Sequence, residues 1–124
     1  MHFVKFSIVD EPEEIKRKVW SEVKELLGEW VDRKELSKFE KLVDEFVKRT
    51  GEVTLGLDYV IERARPGEVI EELASCLAYG DCEIAAAHRT IAFLTWELEP
   101  LGGSEVPVLY VCRRGNCIVV GPYW

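Results

Sequence analysis

From Phe3 to Asp10 the chain alternates well enough to predict a first strand, with Val4, Phe6 and Ile8 on one side. Asp10-Glu11-Pro12 then reads as a helix start, because proline is tolerated in the first turn and acids suit its positive end. Ile15, Val19, Val23, Leu26 and Trp30 recur at helical spacing and give that helix an apolar stripe. A second helix opens at Asp32, where Asp32-Arg33-Lys34-Glu35 has capping-box spacing. Leu36, Phe39, Val43 and Phe46 form its buried face and Thr50-Gly51 ends it, so the two helices are expected as an antiparallel pair.

Residues 52–61 fit two patterns. Val53, Leu55, Leu57, Tyr59 and Ile61 alternate as a strand would, whereas Leu57, Val60, Ile61 and Ala64 suit a short helix. The reading taken is strand at the start and helix at the end. Pro66 opens a third helix through Val69, Leu73 and Leu77 to Tyr79-Gly80. Beyond Asp81, residues 82–98 are apolar on nearly every side, which predicts a buried central helix. Leu101-Gly102-Gly103-Ser104 reads as a loop. Val106 to Cys112 and Cys117 to Val120 read as two strands of a hairpin around Arg113-Arg114-Gly115-Asn116. Pro122 is expected to stop the tail from continuing the ladder. The expected class is α+β: a small, mainly antiparallel sheet of three or four strands, the N-terminal strand plus the C-terminal hairpin, packed on a helical layer with 82–98 at its centre.

Length changes this picture little, since 124 residues fit one α+β domain over 1–124. Composition adds habitat. There is no Gln, Asn116 is the one Asn and Met1 the one Met, while Glu, Lys and Arg abound, as in thermophile proteins. Met-His-Phe-Val-Lys-Phe-Ser lacks the features of a signal peptide, and no apolar run reaches 18 residues, so a cytoplasmic protein without a membrane span is expected. Thermophile cytosols tolerate disulfides, so the four cysteines are read as candidates for bridges.

The net charge of −7 is uneven. Residues 1–50 hold 11 Lys+Arg against 12 Asp+Glu, residues 51–105 hold 3 against 11, and residues 106–124 hold only Arg113 and Arg114. An acidic body repels phosphate backbones and argues against nucleic acid as a partner.

Cys112 and Cys117 flank the hairpin tip. A turn at Arg114-Gly115 sets them face to face, close enough to bond, whereas a turn at Gly115-Asn116 separates them. The first register is the one expected, giving a structural disulfide. A redox-active pair, with its thiol pKa lowered by Arg113 and Arg114, is the functional alternative. Cys76 and Cys82 bracket the corner between the third helix and the expected central helix and are a second candidate disulfide, with free buried thiols the alternative. Gaps of five and four residues do not match the tight knuckles of zinc sites, so no metal and no cofactor is expected. His88 is read as a core or helix-interface histidine. Paired acids such as Glu71-Glu72 are read as solvated faces, with Glu97 and Glu99, before the glycine loop, the candidate site for any acid–base chemistry. No Walker A loop, G-x-G-x-x-G, H-E-x-x-H or G-x-S-x-G occurs.

Tyr110, Arg113, Arg114, Tyr123 and Trp124 gather aromatic and basic side chains toward the C-terminus, the residue types enriched at interface hot spots. They are the expected interaction surface for a protein partner, a second copy included. Glu72 to Ala87, Glu-Leu-Ala-Ser-Cys-Leu-Ala-Tyr-Gly-Asp-Cys-Glu-Ile-Ala-Ala-Ala, resembles the helix pair of the small tRNA-binding accessory subunit of the archaeal KEOPS complex. The resemblance covers 16 of 124 residues, small ones and one glycine, and carries no site residue across. The expected function is a non-catalytic interaction or regulatory module that self-associates. The alternatives are a thiol redox protein using Cys112 and Cys117, or an RNA-contacting accessory subunit using Arg113 and Arg114.

Overall fold

The computed structural model describes residues 4–28, 32–53, 56–80, 82–98 and 105–123. In chain order the elements are β1 (Val4–Ser7), α1 (Pro12–Leu27), α2 (Arg33–Thr50), β2 (Asp58–Ala64), α3 (Pro66–Tyr79), β3 (Glu83–Ala87), β4 (Thr90–Leu98), β5 (Glu105–Arg113) and β6 (Asn116–Pro122). Three helices pack on a six-stranded open sheet of order β1-β2-β6-β5-β4-β3, antiparallel at every junction. The fold class is α+β, with a larger sheet than the pattern predicts.

The first two helices follow the sequence closely. Ile15, Val19, Val23 and Leu27 line the buried side of α1, which starts at Pro12 with Glu13 and Glu14 in its first turn. At the head of α2 the Asp32 carboxylate accepts a bond from the Glu35 N–H at 3.0 Å, satisfying one of the orphan donors of a helix start. Lys16, early in α1, lies 3.3 Å from Glu40 and 2.8 Å from Asp44, about as far past the start of α2 as Lys16 is before the end of α1, so the pair runs antiparallel. Trp30 lies outside the described residues.

The sheet separates two cores. Phe39, Val43 and Phe46 of α2 and the stripe of α1 pack on Tyr59, Ile61, Leu94, Leu109, Val111 and Val120. The residues alternating with these, Phe93, Val108, Tyr110 and Cys117, face the other way and meet Val69 and Cys76 of α3. Two helices therefore cover one face and one helix covers the other. No helix among the described residues is long and apolar enough to cross a membrane.

Residues 82–98 do not form the central helix expected of them; they are the β3–β4 hairpin. A strand covered on both faces is apolar on every side, like a buried helix, and β4 is such a strand. Its Thr90, Ile91, Phe93, Thr95 and Trp96 are β-branched or aromatic, the composition of strands. The turn escapes sequence reading because His88 (φ 45°) and Arg89 (φ 62°) form the two-residue loop, where Asn-Gly is the usual signal. The same result removes the helix pair suggested by the resemblance over 72–87, since among its described residues only 72–79 are helical and 83–87 are strand. It also corrects His88, which is an exposed turn residue rather than a core histidine.

Two smaller expectations also change. The 52–61 stretch reverses its expectation: its described residues before Asp58 belong to no strand, and its end is strand, not helix, with β2 running from Asp58 through Ile61 to Ala64 between β1 and β6. The tail does continue the ladder, with Pro122 opposite Tyr59. The Tyr123 N–H donates to the Asp58 carbonyl at 2.9 Å, which makes Tyr59 and Pro122 a non-hydrogen-bonded pair. The absent N–H of Pro122 thus points toward β5, whose pairing with β6 has already ended at Leu109 and Val120. In that gap the Tyr59 hydroxyl donates to the Pro107 carbonyl at 2.7 Å.

Candidate functional site

Arg114 (φ 49°) and Gly115 (φ 85°) form a two-residue turn, Arg113 pairs with Asn116, and Cys112 lies opposite Cys117. This is the register that clasps the cysteines. They are disulfide-bonded with Cα atoms 4.1 Å apart, as befits the narrow pair next to a hydrogen-bonded closing pair. Cys76 near the end of α3 is bonded to Cys82 just before β3, at a Cα separation of 5.5 Å. None of the four cysteines is free.

The first disulfide lines an apolar groove of about 310 Å³ between the first half of α3 and the strands β4 and β5. Pro66, Val69, Ile70 and Leu73 form its helical wall, Ile91 lines its strand side, and Arg89, Arg114 and Gly115 stand at the turns. The two hairpin tips lie side by side: the Arg114 N–H donates to the Arg89 carbonyl at 3.3 Å. Arg89 is thus a basic neighbour that sequence reading misses, because the β3–β4 turn went unseen. Arg113 points to the opposite face and donates to the Leu26 carbonyl, in the last turn of α1, at 3.1 Å. A cation there suits the negative end of the helix.

The residues expected as one interaction surface do not form one patch. Tyr110 is buried, stacked on Phe93 with ring centroids 5.0 Å apart. Arg113 is half-buried against α1, and Arg114 is exposed at the hairpin tip. Tyr123 is exposed beyond the far end of β6, where Lys5 sits 5.5 Å from its ring centre. Trp124 lies outside the described residues. At about 3.3 Å per strand residue, β6 keeps the arginines and Tyr123 some 20 Å apart.

A second constellation gathers acids around the Tyr110 hydroxyl, also beside the first half of α3. The Tyr110 hydroxyl donates to Glu97 Oε1 at 3.3 Å, and Glu68 and Glu72 of α3 act on the same carboxyl. Burial, then the negative charge of Glu72, holds the Glu97 pKa above the usual carboxylate range, against the lowering effect of the Tyr110 hydrogen bond. Burial and Glu97 likewise push the Tyr59 and Tyr110 phenols up. Glu99 lies outside the described residues. Among the described residues no three or more His, Cys, Asp or Glu side chains are placed to hold a metal ion.

The raised pKa means that folding favours protonated Glu97. Its contribution to stability is present in acid and lost as pH rises through the folded pKa. Glu97→Gln is therefore expected to stabilise the fold at neutral pH, by less than about 1 kcal/mol for so partly solvated a charge. The gain should vanish below the ordinary carboxylate range. Thermal unfolding at both pH values checks this, and a neutral-pH loss would contradict it.

The exposed apolar residues have their own distribution. Ile70, Leu77 and Tyr79 of α3 are 65%, 60% and 79% exposed, and Ile84 of β3 is 42% exposed on the same side of the sheet. The third helix reads from sequence as one buried stripe, but its apolar residues run round more than one face, and α3 buries only Val69 and Cys76 fully. No protein-family model matches the chain, and no curated protein and no solved structure is detectably similar to it.

Proposed function

We propose that this protein is a non-catalytic interaction module of a thermophile cytoplasm that works by self-association. The observation that carries the reading is the unequal covering of the sheet. Two helices close one face, while on the other a single helix leaves Ile70, Leu77, Tyr79 and Ile84 in solvent. Four of the seven large apolar residues exposed among the described ones thus lie on one side, and Val9, Leu98 and Tyr123 are the other three; apolar surface so concentrated marks an interaction site more often than scattered residues do. Native mass measurement over a concentration series is the test. A dimer or higher assembly is expected at micromolar concentration, and a monomer throughout would overturn the reading.

A thiol redox function for Cys112 and Cys117 is the second reading, favoured by the position of their disulfide on a groove with Arg89 and Arg114 at its turns. Its test is the reduction potential. A value below about −300 mV identifies a staple that the glutathione pool leaves oxidised, which removes the redox function.

A further inference from the structure

β3 is the outermost strand of an open sheet, so among the described residues one side of its backbone has no partner strand. Ala87 and Thr90 close the His88-Arg89 turn and form its hydrogen-bonded pair. Alternation then directs the N–H and C=O groups of Ala85 and Glu83 inward to β4 and those of Ile84 and Ala86 outward. Sheet edges are ordinarily blunted by lysine, proline, brevity or an inward charge. The opposite edge, β1, follows that rule: it has four residues and carries Lys5, ion-paired with Asp58 at 3.1 Å. β3, Glu-Ile-Ala-Ala-Ala, has neither lysine nor proline.

The charges beside this edge are ordered along it. Exposed Glu83 stands at the start of the strand and exposed Arg89 just past its end. Lys38 belongs to the same far end, because Glu35, one turn earlier on α2, lies 3.0 Å from His88. Lys38, Lys41 and Glu83 share a trough of about 550 Å³ between α2 and β3. Neither Glu83, Lys38 nor Arg89 is joined in an ion pair to another described residue. A strand that is acidic at one end and basic at the other matches its own copy when that copy runs antiparallel.

We infer that two chains join through β3, strand against antiparallel strand, with the twofold axis at Ala85. This rests on the self-association reading and names its surface. In that register Ile84 of each copy exchanges both backbone bonds with Ala86 of the other, using the outward groups of both. Ala85 meets Ala85 at a non-hydrogen-bonded pair, the type of site that Cys112 and Cys117 already bridge within the chain. Glu83 of each copy comes opposite Ala87 of the other, beside its Lys38 and Arg89, and the two sheets become one. The exposed Ile84 side chain then lies across from Ala86, on the side that α3 leaves open.

The test uses four variants of the full chain beside the wild type. Ala86→Pro removes only an outward N–H, so the monomer keeps its own ladder, and the dimer should weaken by about thirty-fold, as for one neutral hydrogen bond lost on each side. Ala85→Cys, oxidised with diamide, should give a covalent dimer by intact mass. Glu83→Lys should weaken the dimer and Glu83→Lys with Lys38→Glu should restore it, a reversal that misfolding does not produce. A wild-type dimer that Ala86→Pro leaves intact and Ala85→Cys fails to cross-link overturns the β3 interface while sparing self-association. A wild-type monomer overturns both.

Discussion

Replacing Phe46 with alanine is expected to destabilise the protein by about 3–5 kcal/mol, the range for a large aromatic deleted from a packed core. Phe46 is fully buried at the centre of the α2–sheet contact, edge-on to Tyr59 with ring centroids 5.9 Å apart. The loss combines transfer of the ring to water with a cavity that Phe39, Val43 and Tyr59 have little room to fill, because each is already enclosed. Tyr59 is further fixed by its bond to the Pro107 carbonyl, so collapse around the cavity would break a buried hydrogen bond. Against a usual total of 5–15 kcal/mol this is a large fraction. Urea unfolding with and without the substitution measures it. A cost under about 1 kcal/mol would mean that α2 is not seated on this face.

The second large effect is expected at the hairpin. Changing both Cys112 and Cys117 to alanine removes a cross-link over a six-residue loop, counting both ends, and should cost about 2 kcal/mol in chain-entropy terms. For a chain of this length that is a fall in Tm of roughly 6–10 °C. Alanine leaves the register in place because Arg114-Gly115 still forms its turn. A loop this short compacts the unfolded chain very little, so the unfolding slope should stay close to the wild-type value while the midpoint moves. A variant as stable as the parent would show that the bridge does not constrain the unfolded chain, and a redox role would then gain ground.

The sequence was legible where one residue type has one strong local meaning. Pro12, Asp32 and Pro66 mark helix starts, Thr50-Gly51 and Tyr79-Gly80 mark ends, and Arg114-Gly115 sets the hairpin register. It was illegible where burial on two faces erases periodicity. Thr90 to Leu98 offers no polar side to reveal a period of two, and His88-Arg89 gives no glycine or asparagine to announce its turn. Missing that turn hid the sheet edge, the position of Arg89 and the true place of His88. The C-terminal aromatics misled for a related reason. Tyr110 has a polar tip that could have faced water, but its partner, Glu97, is set across from it only once β4 and β5 pair.

Both disulfides lie at the ends of α3. One ties its last turn to the approach to β3, and the other sits in the hairpin beneath its first turns. A helix held by so few buried side chains is a natural unit for local unfolding. With Cys76 bonded to Cys82, a detached α3 stays on a short leash and falls back quickly, since the chain holds its effective concentration over the sheet high. Reduction lengthens that leash. Phe93, Val108 and Tyr110 would then spend longer uncovered, so opening this bridge alone, by changing Cys76 and Cys82 to alanine, is expected to raise protease cleavage within α3 and the tendency to aggregate by more than it lowers the melting point.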